Sequence, residues 1–316
     1  MAVTVPSHTI PDLPLAALMR AQAQVNALIL GKPDQVRLAF IALLAGGHVL
    51  IEDLPGLGKT TLAQALSASL GLRFQRVQFT SDLMPADVLG ISVFDAPSHE
   101  FRFHPGPIFT QVLLADEINR APPRTQSALL EAMAEYQVTV DGVTRPLPQR
   151  FFVLATQNPV DLSGTFPLPD SQLDRFLLRF ALGYPDAESE RALLTGEDRH
   201  AQIERLQPQL DEASLKALRV ATEQVHASPA LIDYVLALLE RSRQHPAIKV
   251  GLSPRAGLAL LRAARAHALL AGRNHVLPDD VQALFVAVAA HRLVPASDSG
   301  QGTELATTIL SGVAVD

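Results

Sequence analysis

The sequence predicts an α/β protein, in which a mostly parallel sheet flanked by helices is followed by a smaller all-helical domain. Up to about residue 185, helical patterns alternate with short apolar runs that end in polar residues, which is typical of a parallel sheet. From about residue 186 onward, apolar residues recur only at helical spacing. We therefore expect an α/β domain with N-terminal helices over residues 1–185 and a helical domain over residues 186–316, whose last residues, 297–316, are expected to be loosely held.

The composition excludes several classes of protein. The chain has 316 residues, no cysteine and a formal net charge of −6. The lack of cysteine excludes disulfide frameworks and thiol nucleophiles and is typical of a reducing compartment. The negative charge disfavours nucleic acid as the main partner. Because no apolar run is long enough for a membrane span and the first residues lack the pattern of a signal peptide, we expect a cytoplasmic protein.

Five apolar runs are predicted as strands of the sheet. They lie at residues 48–52, 73–79, 112–116, 151–156 and 176–182. Three of the runs are continuously apolar, as expected of strands that are buried on both faces. Ligands of such sheets bind beyond the carboxyl ends of the strands, so the residues that follow each run are the candidate site residues.

A glycine-rich loop follows the first strand and opens the next helix. Its sequence from Asp53 is DLPGLGKTT, with Asp53 where such loops usually have glycine. In a phosphate-binding loop, backbone N–H groups converge on the phosphates, a lysine reaches the terminal phosphates and a hydroxyl ligates magnesium. A flexible turn before a helix is the alternative. We assign Thr60 as a magnesium ligand, and phosphate binding to Pro55, Gly56, Leu57, Gly58, Lys59, Thr60 and Thr61.

Polar side chains end two of the buried strands. Asp116 is predicted to be a magnesium ligand, and Glu117 the base that polarises the attacking water. The alternative is that both acids only cap the following helix. After the strand at 151–156, the Asn158 amide is predicted to orient the water or to contact the terminal phosphate. Its alternative role is to start a turn before Pro159.

Two arginines are further candidates for binding an anion. Arg255 follows Ser253 and Pro254 at the start of a predicted helix, where a cation opposes the helix dipole unless it reaches an anion. A nucleotide phosphate held by the other domain would serve, and a solvated arginine is the alternative. On spacing alone, Arg175 is either functional or half of a surface ion pair with Asp174.

Three segments outside the strand ends are candidate interaction surfaces. Residues 136–150 alternate around an Asp-Gly pair, which predicts a hairpin. Residues 82–107 contain three phenylalanines that either protrude or anchor the segment to its own core. The arginines at 262, 265 and 273 predict a solvated or intersubunit face rather than a nucleic-acid platform.

Taken together, these motifs resemble those of the AAA+ ATPases, and the segments at 115–133, 154–176 and 251–266 resemble the MoxR family in particular. The resemblance runs from about residue 25 to about residue 293. It implies ATP and Mg²⁺ as ligands and ATP hydrolysis as the activity. By this resemblance Lys59 is the Walker A lysine, and Asp116 and Glu117 are the Walker B acids. The resemblance also makes Asn158 sensor 1, Arg255 sensor 2, Arg175 an arginine finger that reaches a neighbouring subunit's nucleotide, and Gly31 part of the adenine-contacting turn.

The resemblance also implies an assembly and a class of partner. Members of the family that the chain resembles form rings, commonly hexamers, that remodel partner proteins or help to mature cofactor and metal centres. The partners are often proteins with von Willebrand factor A domains. The alternatives to a remodelling ATPase are a nucleotide-gated scaffold in which hydrolysis is incidental and, less favoured by the net charge, a nucleic-acid motor.

Overall fold

A five-stranded sheet and the helices around it form the amino-terminal part of the fold. The structure is a computed structural model that describes residues 13–149, 151–160, 164–297 and 300–315. Up to residue 180 the elements are α1 (Leu15–Leu28), α2 (Pro33–Leu44), β1 (His48–Glu52), α3 (Lys59–Ser69), β2 (Phe74–Gln78), α4 (Pro85–Leu89), β3 (Gly90–Asp95), β4 (Glu100–Pro105), β5 (Val112–Asp116), α5 (Pro123–Glu135), β6 (Gln137–Val140), β7 (Val143–Pro146), β8 (Phe152–Gln157), α6 (Asp170–Leu173) and β9 (Phe176–Phe180).

The central sheet is parallel throughout and has the strand order β2-β5-β8-β1-β9. Every residue of β5 is buried, as are all residues but the last of β1 and β8. The five predicted strands are confirmed, with ends that agree to within two residues. Because all five strands run in one direction, their carboxyl ends meet at one edge of the sheet and their amino ends at the other.

Helices dominate the remainder of the chain. The elements are α7 (Ala187–Thr195), α8 (Arg199–Glu204), α9 (Glu212–Gln224), α10 (Pro229–Gln244), β10 (Ile248–Val250), α11 (Pro254–Leu270), α12 (Pro278–Ala289), β11 (Val294–Pro295) and α13 (Gly302–Ser311). Helices α10 and α11 each begin with a serine N-cap followed by proline, a pairing that satisfies one free backbone N–H and fixes the first helical φ. None of the helices in the described ranges is both long and apolar enough to cross a membrane.

Two predictions for this helical region are wrong in detail. The region contains a small antiparallel sheet, in which Ile248 of β10 lies opposite Pro295 of β11. Runs of three and two residues are too short to show a strand periodicity in the sequence. The end of the chain is also more ordered than expected, because α13 buries Leu305, Ala306 and Ile309. These three residues lie on one face of the helix, and the partly buried Leu310 also packs against the core.

Two hairpins extend from the sheet. The predicted turn at Asp141 and Gly142 is confirmed, with φ values of 54° and 74° that match a type I′ turn. In the β3–β4 hairpin, both interpretations of the phenylalanines hold in part. Phe94 and Phe101 are 50% and 74% exposed and contact each other at 5.4 Å between ring centroids. Phe103 instead packs against Phe109 and carries the Arg145 guanidinium 3.8 Å from its ring centroid, so it links the two hairpins.

A buried arginine attaches the carboxyl-terminal helices to the sheet. Arg292 follows α12, and its Nε donates to Asp174 Oδ1 at 2.7 Å. Its Nη2 donates to the carbonyl oxygen of Phe176 at 2.6 Å, and its Nη1 to that of Leu177 at 3.2 Å. Burial lowers the pKa of this guanidinium and the ion pair with Asp174 opposes that shift. The contacts fix α12 against the amino end of β9.

The first residue of β1 makes the fold sensitive to acid. His48 is buried, with Nδ1 accepting from the Val153 N–H at 3.1 Å and Nε2 facing the Met133 carbonyl oxygen at 3.1 Å. A proton on Nδ1 would oppose the Val153 N–H, so the imidazole fits only when neutral. Burial first, with the charges of Arg219 and Arg262 adding to it, lowers its pKa from 6.5 to about 4.

We expect stability to fall as the pH drops from 6.5 towards 4. In that window the unfolded chain has bound a proton at His48 and the folded chain has not, so lowering the pH favours unfolding, by about 3 kcal/mol across the window. Urea unfolding at pH 7 and pH 4.5 measures the loss. The variant His48→Gln should be less stable at pH 7 but lose less on acidification, whereas His104→Gln, an exposed control, should behave like wild type. An unchanged pH dependence in His48→Gln would contradict the assignment.

Candidate functional site

A cavity of about 370 Å³ lies at the carboxyl ends of β1, β5 and β8. It brings together most of the residues that the sequence predicts as site residues, namely the glycine-rich loop, both acids and Asn158. Its lining consists of Pro55, Gly56, Gly58, Lys59, Thr60, Thr61, Arg76, Gln78, Asp116, Glu117, Thr156, Gln157 and Asn158. Leu57 belongs to the loop but does not line the cavity, and neither do Gly31, Arg175 and Arg255.

The glycine-rich loop has the backbone that close approach of phosphate requires. Gly56 and Gly58 have φ values of 81° and 88°, and nothing lies within 4 Å of where a Cβ would be. The Lys59 ammonium donates to the carbonyl oxygens of Asp53 at 2.7 Å and Leu54 at 2.5 Å. Burial lowers the Lys59 pKa, and the nearby acids oppose that shift. A phosphate oxygen is a stronger partner for this cation than the two neutral carbonyl oxygens.

Asp53, the departure from the usual glycine, has a structural explanation. Its side chain is buried, and its Oδ1 accepts from the backbone N–H of Leu54 at 2.9 Å within the loop. Its Oδ2 accepts from the backbone N–H of Gly183 at 2.6 Å. Gly183 lies between β9 and α7, so one carboxylate joins the loop to the segment that leads into the carboxyl-terminal helices.

The two acids face the cavity and are held by cations and amides. Asp116 Oδ2 accepts from Arg76 Nη2 at 2.7 Å and from Arg76 Nε at 3.2 Å. Glu117 Oε2 accepts from Gln78 Nε2 at 3.1 Å and lies 2.8 Å from Arg120 Nε. Glu117 makes no capping hydrogen bond to the short 3-10 helix that follows (Ile118–Arg120), so the capping interpretation does not describe this side chain. Its backbone is left-handed at φ 55°, which turns the side chain sharply after β5.

Thr156 connects the two acids and is a site residue that the sequence analysis missed. Its buried hydroxyl donates to Asp116 Oδ1 at 2.6 Å and accepts from the backbone N–H of Glu117 at 2.8 Å. Arg76 and Gln78 were missed as well. A signal was present, because both residues lie at alternate positions of β2 and therefore share one face of that strand.

The donor set fits a magnesium ion that is also bound by phosphate. The Asp116 carboxylate and the Thr60 hydroxyl line the same cavity, and oxygen donors of this kind suit Mg²⁺. Within the described ranges, no group of three or more His, Cys, Asp or Glu side chains could hold a metal without further ligands. Such an ion would therefore need oxygen atoms from the nucleotide, and Arg76 would have to release Asp116.

Asn158 combines the two interpretations given by its sequence context. Its Oδ1 accepts from the backbone N–H of Val160 at 3.1 Å, as expected of an Asn-Pro turn. The same residue lines the cavity beside Glu117 and Lys59. The amide oxygen accepts this hydrogen bond within the turn. The amide nitrogen is the donor of the side chain and can donate to a phosphate or a water.

Arg175 and Arg255 lie at the opposite edge of the sheet. Both line a separate cavity of about 130 Å³ beside Gly47 and His48, and this cavity shares no residue with the phosphate cavity. Arg175 directly precedes β9 and donates to the Leu130 carbonyl oxygen at 3.1 Å rather than pairing with Asp174. The glycine-rich loop follows β1, so the parallel sheet separates the two sites.

Arg255 therefore does not line the phosphate cavity of its own chain, and its contact with a nucleotide phosphate stays a prediction. Its Nε lies 3.5 Å from Asp174 Oδ2 instead, beside Arg175. The position follows from packing, because α11 lies against α2 and the Arg292 contacts hold α12 at the amino end of β9. The sequence placed Arg255 correctly at a helix start but carried no information about which sheet edge that helix faces.

Gly31 lies in the turn between α1 and α2, away from the phosphate cavity. Its φ is 69°, and a Cβ there would lie 2.6 Å from Ser189 Oγ in α7. The neighbouring Lys32 Nζ donates to the Tyr184 carbonyl oxygen at 2.5 Å. This turn therefore contacts the same segment after β9 that Asp53 binds.

Comparison with known proteins agrees with this geometry. Residues 48–178 match the family "ATPase family associated with various cellular activities (AAA)", and residues 240–310 match the "AAA lid domain". The chain is 46% identical to "Uncharacterized protein YeaC" of Bacillus subtilis, over 88% of this chain and 87% of that protein. It is 38% identical to "Chaperone MoxR1" of Mycobacterium tuberculosis, over 89% of this chain and 77% of that protein.

A solved structure has the same fold. The crystal structure of a Cytophaga hutchinsonii protein, provisionally described as an ATPase, superposes with a TM-score of 0.87 and 32% identity. The alignment covers 96% of both chains. The predicted fold class, a mostly parallel sheet with flanking helices and a carboxyl-terminal helical lid, is thereby confirmed.

Proposed function

This chain belongs to the MoxR family of AAA+ ATPases and hydrolyses ATP, and we propose that it couples this hydrolysis to remodelling or maturing a partner protein. One observation carries the proposal: the loop with Lys59 and the acids lie at one edge of the sheet, and Arg175 and Arg255 at the other. Two half-sites at opposite edges favour an enzyme completed between subunits, whose assembly can transmit nucleotide state to a partner.

In the proposed reaction, Lys59 and the loop bind the phosphates of ATP. Mg²⁺, held by Thr60 and Asp116 together with phosphate oxygens, would neutralise charge on those phosphates. Glu117 accepts a proton from the water that attacks the terminal phosphate, and the Asn158 amide orients that water. Before this step Glu117 has to leave Gln78 and Arg120, which hold its carboxylate in the structure.

The proposed assembly is a ring, most simply a hexamer of identical subunits. In it, Arg175 and Arg255 of one subunit approach the phosphates bound by the next and balance charge that develops during transfer. The turn at Gly31 contacts the adenine. We propose the boundary between the α/β domain and the lid at residues 185–186, in the segment contacted by Asp53 and Lys32.

The proposed partner is a protein with a von Willebrand factor A domain, and the proposed compartment is the cytoplasm. A relative named as a chaperone supports action on a protein substrate. The exposed pair Phe94 and Phe101 on the β3–β4 hairpin offers an apolar contact for such a substrate. Adding the purified partner protein should raise the rate of ATP turnover by the wild-type chain. An unchanged rate would contradict the coupling.

ATP turnover per subunit, measured against protein concentration, tests the shared site. We expect specific activity to rise with concentration, because a site built from two subunits is lost when they separate. Lys59→Ala, which removes the phosphate-binding cation, should be inactive at every concentration and so measures the background. Turnover that stays constant from dilute to concentrated protein would show a self-sufficient subunit and overturn the ring mechanism.

A further inference from the structure

A second cavity of about 370 Å³ lies where the lid meets the α/β domain. Gly46 and Tyr136 line it from the α/β domain, Lys216 and Arg219 line it from α9, and α11 adds Arg262 and Arg265. It has no lining residue in common with the phosphate cavity. It does share Gly46, Tyr136 and Arg262 with the cavity that contains Arg175 and Arg255, so the two adjoin.

The lining of this interdomain cavity carries four basic side chains and one acidic side chain, Glu223. The Arg265 Nε atom is buried without a hydrogen-bond partner. The effect of the positive charge reaches His48, whose pKa is lowered partly by Arg219 and Arg262. Like charges collected around a partly enclosed space repel one another unless an anion lies between them.

The backbone also makes room for one of these cations. Gly46 has a φ of 64°, and a Cβ at this position would lie 2.5 Å from Arg219 Nη2. Glycine therefore lets the guanidinium of α9 lie directly against the end of α2. Tyr136 lines the same side of the cavity as Gly46, and its hydroxyl donates to the Gly46 carbonyl oxygen at 2.9 Å.

We propose that this interdomain cavity binds a phosphate-bearing anion through Lys216, Arg219, Arg262 and Arg265. Guanidinium groups pair with phosphate oxygens through two parallel N–H donors, and a lysine adds a point charge. The volume is that of a small-molecule site rather than of a groove for a folded partner. Because α9 and α11 face Gly46 and Tyr136 across the cavity, the bound anion holds the lid against the α/β domain.

Two sources can supply this ligand. One is a free phosphorylated small molecule, and the other is the nucleotide bound by the adjacent subunit, since the cavity adjoins Arg175 and Arg255. The second source depends on the proposed ring, whereas the first does not. A probe that needs no ring therefore separates failure of this inference from failure of the proposed function.

Inorganic pyrophosphate is the probe, titrated calorimetrically into Lys59→Ala protein to weaken binding at the glycine-rich loop. Adding Lys216→Ala and Arg262→Ala removes two exposed cations of the cavity. The matched control adds Arg37→Ala and Arg191→Ala, two exposed arginines that do not line it. We expect at least a tenfold loss of affinity in the cavity variant and none in the control. Melting of the unliganded variants establishes that all of them are folded.

The state of assembly distinguishes the two sources. Pyrophosphate binding by dilute, monomeric Lys59→Ala protein that is lost in the cavity variant indicates a free phosphorylated ligand. If pyrophosphate does not bind, Lys216→Ala and Arg262→Ala are made together in a chain that keeps Lys59. A loss of at least tenfold in affinity for a fluorescent ATP analogue, seen in the assembled protein only, then indicates the neighbour's nucleotide as the ligand. Unchanged affinity for pyrophosphate and for ATP in the cavity variant overturns the proposal.

Discussion

Glu117→Gln is expected to lower ATP turnover by about 10²–10⁴-fold while ATP binding stays close to that of wild type. The amide cannot accept a proton from the attacking water, but it matches the carboxylate in size and can still contact Gln78. The phosphates are bound by Lys59 and the loop, which this change leaves intact. Phosphate release measures turnover, and a fluorescent ATP analogue measures binding.

Glu131→Gln is a matched control for this prediction. Glu131 is exposed on α5 and lines none of the three cavities described above. The control should therefore hydrolyse ATP at the wild-type rate. Full hydrolysis by Glu117→Gln would remove Glu117 from its catalytic role, and loss of ATP binding would mean that its carboxylate supports the nucleotide site instead.

Arg175→Ala is expected to lower turnover by about 10³–10⁵-fold, the range that an arginine finger contributes to phosphoryl transfer. Arg175 lies at the edge of the sheet opposite its own Lys59, so its effect should act on the neighbour. Mixing inactive Arg175→Ala with inactive Lys59→Ala tests this directly. In an equal mixture, about a quarter of the interfaces join an intact loop to an intact arginine, and activity should return.

The exposed residue Arg191 supplies the control for the mixing experiment. Arg191→Ala should hydrolyse ATP like wild type. In an equal mixture with Lys59→Ala, about half of the interfaces should be active, because both variants supply an intact Arg175 and only half of the loops are intact. Two results would contradict a role in trans. One is wild-type turnover by Arg175→Ala alone, and the other is a mixture of the two inactive variants that stays inactive although both assemble.

The sheet, and the predicted residues that line the cavity at its strand ends, were predictable because they depend on local sequence. Strands β1, β5 and β8 are buried on both faces, so their sequences are continuously apolar, and the residues that follow them are set by strand direction. The short strands β10 and β11 and the helix α13 have weaker local patterns. For α13 the burial of Leu305 and Ile309 against other helices decides the structure.

The missed residues depend on contacts between strands far apart in the chain. Arg76 reaches Asp116 because β2 pairs with β5 in a register that sets Gln78 beside Asp116. Thr156 of β8 reaches Asp116 of the neighbouring strand β5, at a separation of 40 residues. Such pairings follow from strand order and register, which a single sequence does not encode locally. The surroundings of Arg255 were unpredictable for the same reason, because its neighbours come from the amino ends of β1 and β9, far away in the sequence.

We expect the buried carboxylate of Asp53 to link nucleotide affinity and lid orientation thermodynamically. One oxygen is bonded to the phosphate loop at Leu54, and the other to Gly183 on the path to the lid. A hydrogen bond to a charged group contributes about 1.5–3 kcal/mol, so a lid position that breaks the Gly183 bond is disfavoured by that amount. If ATP binding moves the loop so that the Gly183 bond changes, it biases the lid position, and by reciprocity a partner that rotates the lid changes the free energy of ATP binding by the same amount. A glycine at position 53 would hold phosphate as well, but it would uncouple these two equilibria.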